Sequence, residues 1–425
     1  MEAQLLNLLL VAPNCDGNDV GEAWIAFQWV KRLARRHRVT LLTYHKLGKT
    51  PAARQLSGVE VVEWPEPRLF SSAERLNSLL KPGYVPFYFR ARRWIRQALG
   101  SGRTFDIAHQ LAPVALRYPS PLAGLELPYV LGPVGGSLDA PPGLARDRDT
   151  APWYVGLRRF DRLRLRFDPL LRKTYEQADC VIGIAPYVRN VLDGLSPRRL
   201  EFLADTGVEA LPPPVDRSAH SGPVRLLFVG RLIKTKGVRE AIRALARLPD
   251  APVVLDIVGD GFDRVNCEQI AAQAGLAGRV VFHGRKSREE VDAFYRSADI
   301  FVFPSYREPG GIAPVEAMAW GLPLIVSNWG GPAASVDDTC GIRIDPRTPE
   351  QFASDLAQVI KRLVHDRDLR LSLGAGARER VAKTALWDEK ILVMERLYEE
   401  VLLDRARGRS VLASDEIERL QAQSA

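Results

Sequence analysis

The chain has 425 residues, 46% hydrophobic and 26% charged, which is long for one core, comfortable for two domains, and ordinary for a soluble globular protein. It carries eight excess positive charges, yet nothing in it resembles a nucleic-acid module, so nucleic acid is not expected as a partner. Cys15, Cys180, Cys267 and Cys340 lie far apart in no metal or disulfide spacing, as expected of reduced cytoplasmic thiols.

The amino terminus, Met1-Glu2-Ala3-Gln4, lacks the basic start of a signal peptide. Leu5–Ala12 has strand length, well short of the ~20 residues that span a bilayer. A helix over Glu22–Arg36 and a strand over Arg38–Tyr44 follow, then strands at Phe105–Gln110, Pro128–Leu131 and Asp179–Ile184. Between the first strand and helix, Asn14–Ala23 is a Gly-containing βα turn with Asn18 or Asp19 as its expected cap. Gly132-Pro133-Val134-Gly135-Gly136-Ser137 is a second strand-end Gly loop, with Gly135 and Gly136 as candidate ligand-loop positions. The Pro- and Ser-rich stretch 211–223 reads as a linker, dividing a first domain, 1–210, from a second, 224–385. The second series has strands near 224–230, 252–258, 279–283, 299–303 and 322–326, with helices from about 348 to 403. Strands alternating with helices imply two parallel α/β sheets covered on both faces, expected to face each other across a central cleft. Residues after Arg407 form a polar amphipathic appendage.

Two loops of the second domain carry the chemistry. The strand Arg225–Gly230 runs into Arg231-Leu232-Ile233-Lys234-Thr235-Lys236-Gly237. Arg231 and Lys236 therefore sit beyond a strand's carboxyl end, where open parallel sheets bind ligands, and a guanidinium fork beside a mobile ammonium suits two adjacent phosphates. A solvated basic loop is the plainer alternative, and the fate expected of Lys234. In the other loop, Arg307-Glu308-Pro309-Gly310-Gly311 opens into a helix starting near Ile312 and containing Pro314 and Glu316. Free N–H groups at that helix start suit a phosphate, while two glutamates eight positions apart accept hydrogen bonds from sugar hydroxyls. Such a pair also arises by chance. Together the loops suggest a pocket for a sugar joined to a diphosphate.

Gly230-Arg231-Leu232 with Lys236-Gly237, followed about seventy residues later by Glu308 and Glu316, resembles the retaining glycosyltransferases of family four, glycosyl transferase group 1, which have the GT-B fold. Val258-Gly259-Asp260-Gly261, Phe282-His283-Gly284, Ser297-Ala298-Asp299 and Glu316–Pro323 agree with the family's order and spacing. The resemblance is strong from about 224 to 332. It implies two doubly wound Rossmann-like domains and a tail, 386–425, that crosses back to the first. It implies transfer from a nucleotide-diphosphate sugar with retention, by a metal-independent, hexosyltransferase-like enzyme that uses no cofactor. Glu308 would orient the sugar and Glu316 bind the ribose, while Arg231, Lys236 and the helix start after Gly311 would stabilise the departing phosphate. Donor contacts would also come from Gly230, Gly310, Gly311, Ile312 and a wall for the base at Phe282, His283, Gly284 and Arg285. His109 would face the transferred sugar, and Gly17 and Gly21 would lie over the donor phosphates and the acceptor. Where many members have Gly-Phe-Gly after the first glutamate, this chain has Pro309-Gly310-Gly311, which leaves the donor sugar open.

Two segments, 85–96 and 153–167, mix aromatics with arginines. Trp153, Leu157, Phe160, Leu163 and Phe167 share one helical face, either core-facing with a basic edge or docked on an anionic membrane surface. The second reading points to a lipid-linked glycan or polysaccharide precursor as acceptor, and to a peripheral position at the inner face of the membrane. Two other functions fit the same plan: a nucleotide-sugar epimerase or sugar phosphorylase, and a scaffold that has lost activity. A cofactor-using dehydrogenase is not expected, because no strand is followed by G-x-G-x-x-G with an acidic residue beyond.

Overall fold

The computed structural model describes residues 5–46, 48–67, 83–144, 159–218 and 222–407. The appendage after Arg407 lies outside them, as do Trp153, Leu157 and the side chain of Phe160 from the apolar stripe. The chain divides into two compact units, Met1–Ser137 with Pro152–Asp205 and Lys390–Ala425, and Leu138–Ala151 with Thr206–Glu389.

The first unit holds a seven-stranded parallel sheet: β1 (Asn7–Val11), β2 (Arg38–His45), β3 (Val59–Pro65), β4 (Ile107–Gln110), β5 (Tyr129–Val134), β6 (Cys180–Gly183) and β7 (Leu200–Phe202). Their order is β3-β2-β1-β4-β5-β6-β7. The second unit holds six parallel strands: β8 (Val224–Val229), β9 (Val253–Val258), β10 (Val280–Gly284), β11 (Ile300–Phe303), β12 (Leu324–Ser327) and β13 (Gly341–Ile344), in the order β10-β9-β8-β11-β12-β13. Both sheets reverse direction of growth after their third strand, the doubly wound plan that opens a crevice at the carboxyl ends of the two strands flanking the switch. Those are β1 and β4 in one unit, β8 and β11 in the other.

Central strands are continuous apolar runs because helices cover both faces; Leu8–Val11 and Ile300–Phe303 are buried throughout. The strands that sequence reading does not find, β3, β7 and β13, all lie at sheet edges. Edge strands are short or charged, here with Glu60 and Glu63 in β3 and Arg343 in β13, so they lack the apolar run that marks a central strand. Gly132-Pro133-Val134 belongs to β5 rather than to a loop. The first helix, Glu22–Leu33, starts after Gly21 with no side-chain cap; Asp19 pairs with Lys46 at 2.9 Å, and Asp16 accepts from the N–H of Asn18.

The Pro-rich stretch is no free tether. Residues 211–218 belong to the second unit, and the Arg217 guanidinium donates to Tyr295 O, Ala298 O and Trp320 O, each at 2.9 Å. In the helix Arg159–Phe167 the side facing inward is Asp161 and Leu165, not Leu163 and Phe167, because Asp161 is paired with Arg117 at 3.1 Å. All four cysteines are free and buried; burial pushes the Cys180 and Cys267 thiols up to about 12 and Cys340 to about 11.

The last helix, Trp387–Ala406, counts with the first unit from Lys390 on. There its Tyr398 meets His109 at the end of β4. Nε2 of His109 lies 2.6 Å from Gly132 O and Nδ1 lies 2.6 Å from the Tyr398 hydroxyl. A carbonyl only accepts, so Nε2 carries the proton and Nδ1 accepts from Tyr398, the arrangement of a neutral ring. Burial lowers this histidine to about 4, against a weaker opposing effect of the Gly132 carbonyl. Between the ordinary value near 6.5 and about 4 the unfolded chain therefore binds the proton first, and stability falls as pH falls. Urea denaturation from pH 7 to pH 4 is expected to lose up to about 3 kcal/mol more for wild type than for His109→Gln.

Candidate active site

The strands flanking the switch of the second sheet, β8 and β11, pair in register at Ile300↔Leu226 and Phe301↔Leu227, so both deliver their loops to one edge. After β8 the chain makes a 3-10 turn over Lys234–Lys236 and then the helix Val238–Ala246. Gly237 joins them with φ +72°, and a Cβ there would stand 2.1 Å from Pro304 O in the loop after β11. Only glycine allows that approach, which brings the two loops together. Lys236 forms an ion pair with Glu308, and its Nζ stands 4.8 Å from the centre of the Phe303 ring. The side chains are 12% and 17% exposed, so the pair is largely shielded yet still open to the surface. Arg231 is exposed in the same loop, with no side-chain partner among the described residues.

Glu308 lies on the loop and Glu316 lies one turn into the helix Ile312–Ala319, whose start is Gly311 at φ +107°. Glu316 Oε2 accepts from the Tyr295 hydroxyl at 3.2 Å. Burial raises its carboxyl above the usual range, opposed by the charge of Arg288 and by the Tyr295 hydrogen bond. His283 lies one residue before the end of β10, with Nε2 2.7 Å from Asp256 Oδ1 and its ring 4.5 Å from that of Phe294. Asp256 also receives Arg225 at 2.7 Å, so the imidazole is held from β9, and Gly284 O accepts from Gly259 N at 2.8 Å.

The structure thus brings Lys236 and Glu308 into contact and carries Arg231, Gly310, Gly311, Ile312 and Glu316 on the same two loops and the helix they open. His109 is not brought to any surface: it is fully buried, with both ring nitrogens engaged. Gly17 packs under the Phe27 ring, and its N–H meets Gln55 Oε1 at 2.8 Å. Gly21 is open to solvent at φ +66°. Gly135 donates to Val114 O at 2.8 Å, and Gly136 to the Tyr187 hydroxyl at 2.9 Å. Sequence reading misses Tyr295 and Asp256 as partners of Glu316 and His283. Asp256 had a signal, a lone carboxylate inside the apolar run Val253–Val258.

Residues 216–380 match the family model described as Glycosyl transferases group 1. Curated relatives include a D-inositol 3-phosphate glycosyltransferase of Corynebacterium jeikeium, 33% identical over 41% of this chain and 43% of that protein. Another is a 2-deoxystreptamine glucosyltransferase of Streptomyces kanamyceticus, 36% identical over 44% of this chain and 47% of that one. The chain therefore spans a little under half the length of these relatives. Among solved structures, sucrose-phosphate synthase from Thermosynechococcus elongatus superposes with a TM-score of 0.65 at 21% identity, covering 93% of this chain and 99% of that one. That likeness establishes the fold, two parallel-stranded α/β units of the GT-B kind.

Gly237→Ala is expected to lose about 2 kcal/mol or more, since it combines a strained φ with a backbone collision. Urea denaturation would check it; an unchanged midpoint would show that the two loops are not held together at this point.

Proposed function

We propose that the chain is a retaining glycosyltransferase of family four, moving a hexose from a nucleotide-diphosphate sugar to an acceptor hydroxyl. The observation that carries the reading is the Lys236–Glu308 ion pair at the carboxyl edge of β8 and β11, beside Arg231 and the start of the helix Ile312–Ala319. An ammonium and a carboxylate held together suit a ligand that presents a phosphate next to a sugar, each group exchanging its partner for the ligand.

In this mechanism the bond from the anomeric carbon to the β-phosphate oxygen breaks, and its electron pair leaves with the phosphate. Arg231, Lys236 and the free N–H groups at Gly311–Ala313 stabilise that charge as it develops. Glu308 accepts from sugar hydroxyls and orients the ring, and Glu316, fixed by Tyr295, accepts from the ribose. The acceptor hydroxyl attacks from the face the phosphate is leaving, so configuration is retained. Its proton passes to the departing phosphate oxygen, and no protein nucleophile or metal is required. Gly284 and Arg285, with His283 held by Asp256, line the base. The Gly17–Gly21 and Gly135–Gly136 loops are the acceptor-side elements, and His109 has a packing role instead.

Thermal unfolding with UDP, GDP and ADP tests the donor site, since a ligand at a hundred times its Kd adds about 2.7 kcal/mol. One nucleotide is expected to stabilise wild type and Glu308→Ala but not Lys236→Ala, while Glu308→Ala abolishes sugar transfer. Full transfer by Lys236→Ala would refute the phosphate assignment.

The acceptor we propose is a lipid-linked glycan or polysaccharide precursor, met at the inner face of the membrane. Supporting this, Phe89 and Phe167 are 65% and 69% exposed, on helices that also expose Arg93, Arg96, Arg162, Arg164 and Arg166. No helix among the described residues is long and apolar enough to cross a membrane. An aromatic set among cations suits interfacial docking on anionic lipid. Vesicles of phosphatidylserine and phosphatidylcholine are expected to co-sediment the protein at low salt. Phe89→Glu and Phe167→Glu should each weaken that binding about tenfold or more. Absence of co-sedimentation at low salt would remove the membrane from this reading.

A further inference from the structure

A cavity of the second unit, about 250 Å3, opens at the amino ends of β11 and β12, the opposite edge of the sheet from Lys236 and Glu308. Asp299 directly precedes β11 and Pro323 directly precedes β12, and both line it. So do four arginines, Arg217, Arg367, Arg370 and Arg378, with Trp320. None of the four forms an ion pair within hydrogen-bonding reach of a carboxylate among the described residues. Three of them are instead held by backbone carbonyls at the ends of helices. Arg217 bonds Tyr295 O and Ala298 O at the end of Arg288–Ser297, and Trp320 O at the end of Ile312–Ala319. Arg378 bonds Ala319 O at 2.9 Å and Pro212 O at 2.5 Å, and Arg370 bonds Leu363 O and Val364 O at the end of Pro349–His365.

The charge does not close. A helix carboxyl end counts for about half a negative charge, so three such ends and Asp299 together offset about two and a half of the four guanidinium charges. Asp216 stands near Arg367, and both are exposed, where solvent screens the pair. Positive charge remains in excess, the sign that attracts a phosphate. Five N–H donors per guanidinium also exceed the carbonyl bonds made, three for Arg217 and two each for Arg370 and Arg378. Because carbonyls fix these forks in place, less side-chain freedom is lost on binding, which lowers its entropy cost.

We propose that this cavity binds a small phosphorylated metabolite, its phosphate on the arginines and its carbon body against Trp320. The site is separate from the donor loops, and the proposal does not depend on the glycosyltransferase reading.

Thermal unfolding of the full chain with inorganic phosphate, glucose 6-phosphate and glucose tests it. Glucose 6-phosphate and phosphate are expected to raise the unfolding temperature of wild type and of Lys236→Ala alike, and glucose to leave both unchanged. Two variants should weaken the response about tenfold or more: Arg367→Gln with Arg370→Gln, which removes the donors, and Ala375→Glu, which places a carboxylate on the exposed wall while keeping every arginine. No shift with either phosphate probe would overturn the proposal, and so would a shift that survives both variants. A shift lost in Lys236→Ala would assign the phosphate to the donor loops and overturn it equally.

Discussion

Parallel pairing of β8 with β11 is the constraint from which the candidate site follows. Neighbouring parallel strands end at the same edge, so loops separated by some seventy residues are delivered side by side without any contact of their own to find. Gly237 then lets the first loop touch the carbonyl of Pro304, and the long-range pair Lys236–Glu308 closes the arrangement. Each charged partner lowers the cost of holding the other half-buried, which is how both survive beside the apolar Phe303 ring.

The helix Ile312–Ala319 links two edges of the same sheet. Its start stands among the loops after β8 and β11, with Glu316 one turn in, and its end is gripped by Arg217 and Arg378. A helix of eight residues is only about 12 Å long, and such a short element is stable through what holds its ends rather than through its own hydrogen bonds. The Pro-rich stretch before β8 acquires a structural task from this. Pro212 supplies a carbonyl and Arg217 a guanidinium to the clasp around that helix end.

Much of this was legible in the residues, for reasons that can be named. Central strands announce themselves because burial on both faces demands unbroken apolar runs, and the Gly- and Pro-marked loops after β8 and β11 stand out for the opposite reason. Edge strands β3, β7 and β13 were hidden because half their surface meets solvent. Contacts across long sequence separations were hidden too, since nothing near Lys236 names Glu308 and nothing near His109 names Tyr398. The histidine is the instructive case. Its place at a strand end invites a functional role, but whether a ring points to an open crevice or to a helix arriving 289 residues later is decided by packing alone. The helix Arg159–Phe167 repeats the lesson: spacing picks out an apolar face, while the buried pair Asp161–Arg117 decides which side turns inward.

The buried cysteines have a practical consequence. With all four thiols enclosed and three of them held near 11 or 12, the folded chain offers almost no thiolate at neutral pH to an alkylating reagent. A single cysteine placed at an exposed position, such as Val20 or Phe262, would therefore react alone and without first stripping the native ones. The protein comes ready for site-selective fluorescent labelling on either unit.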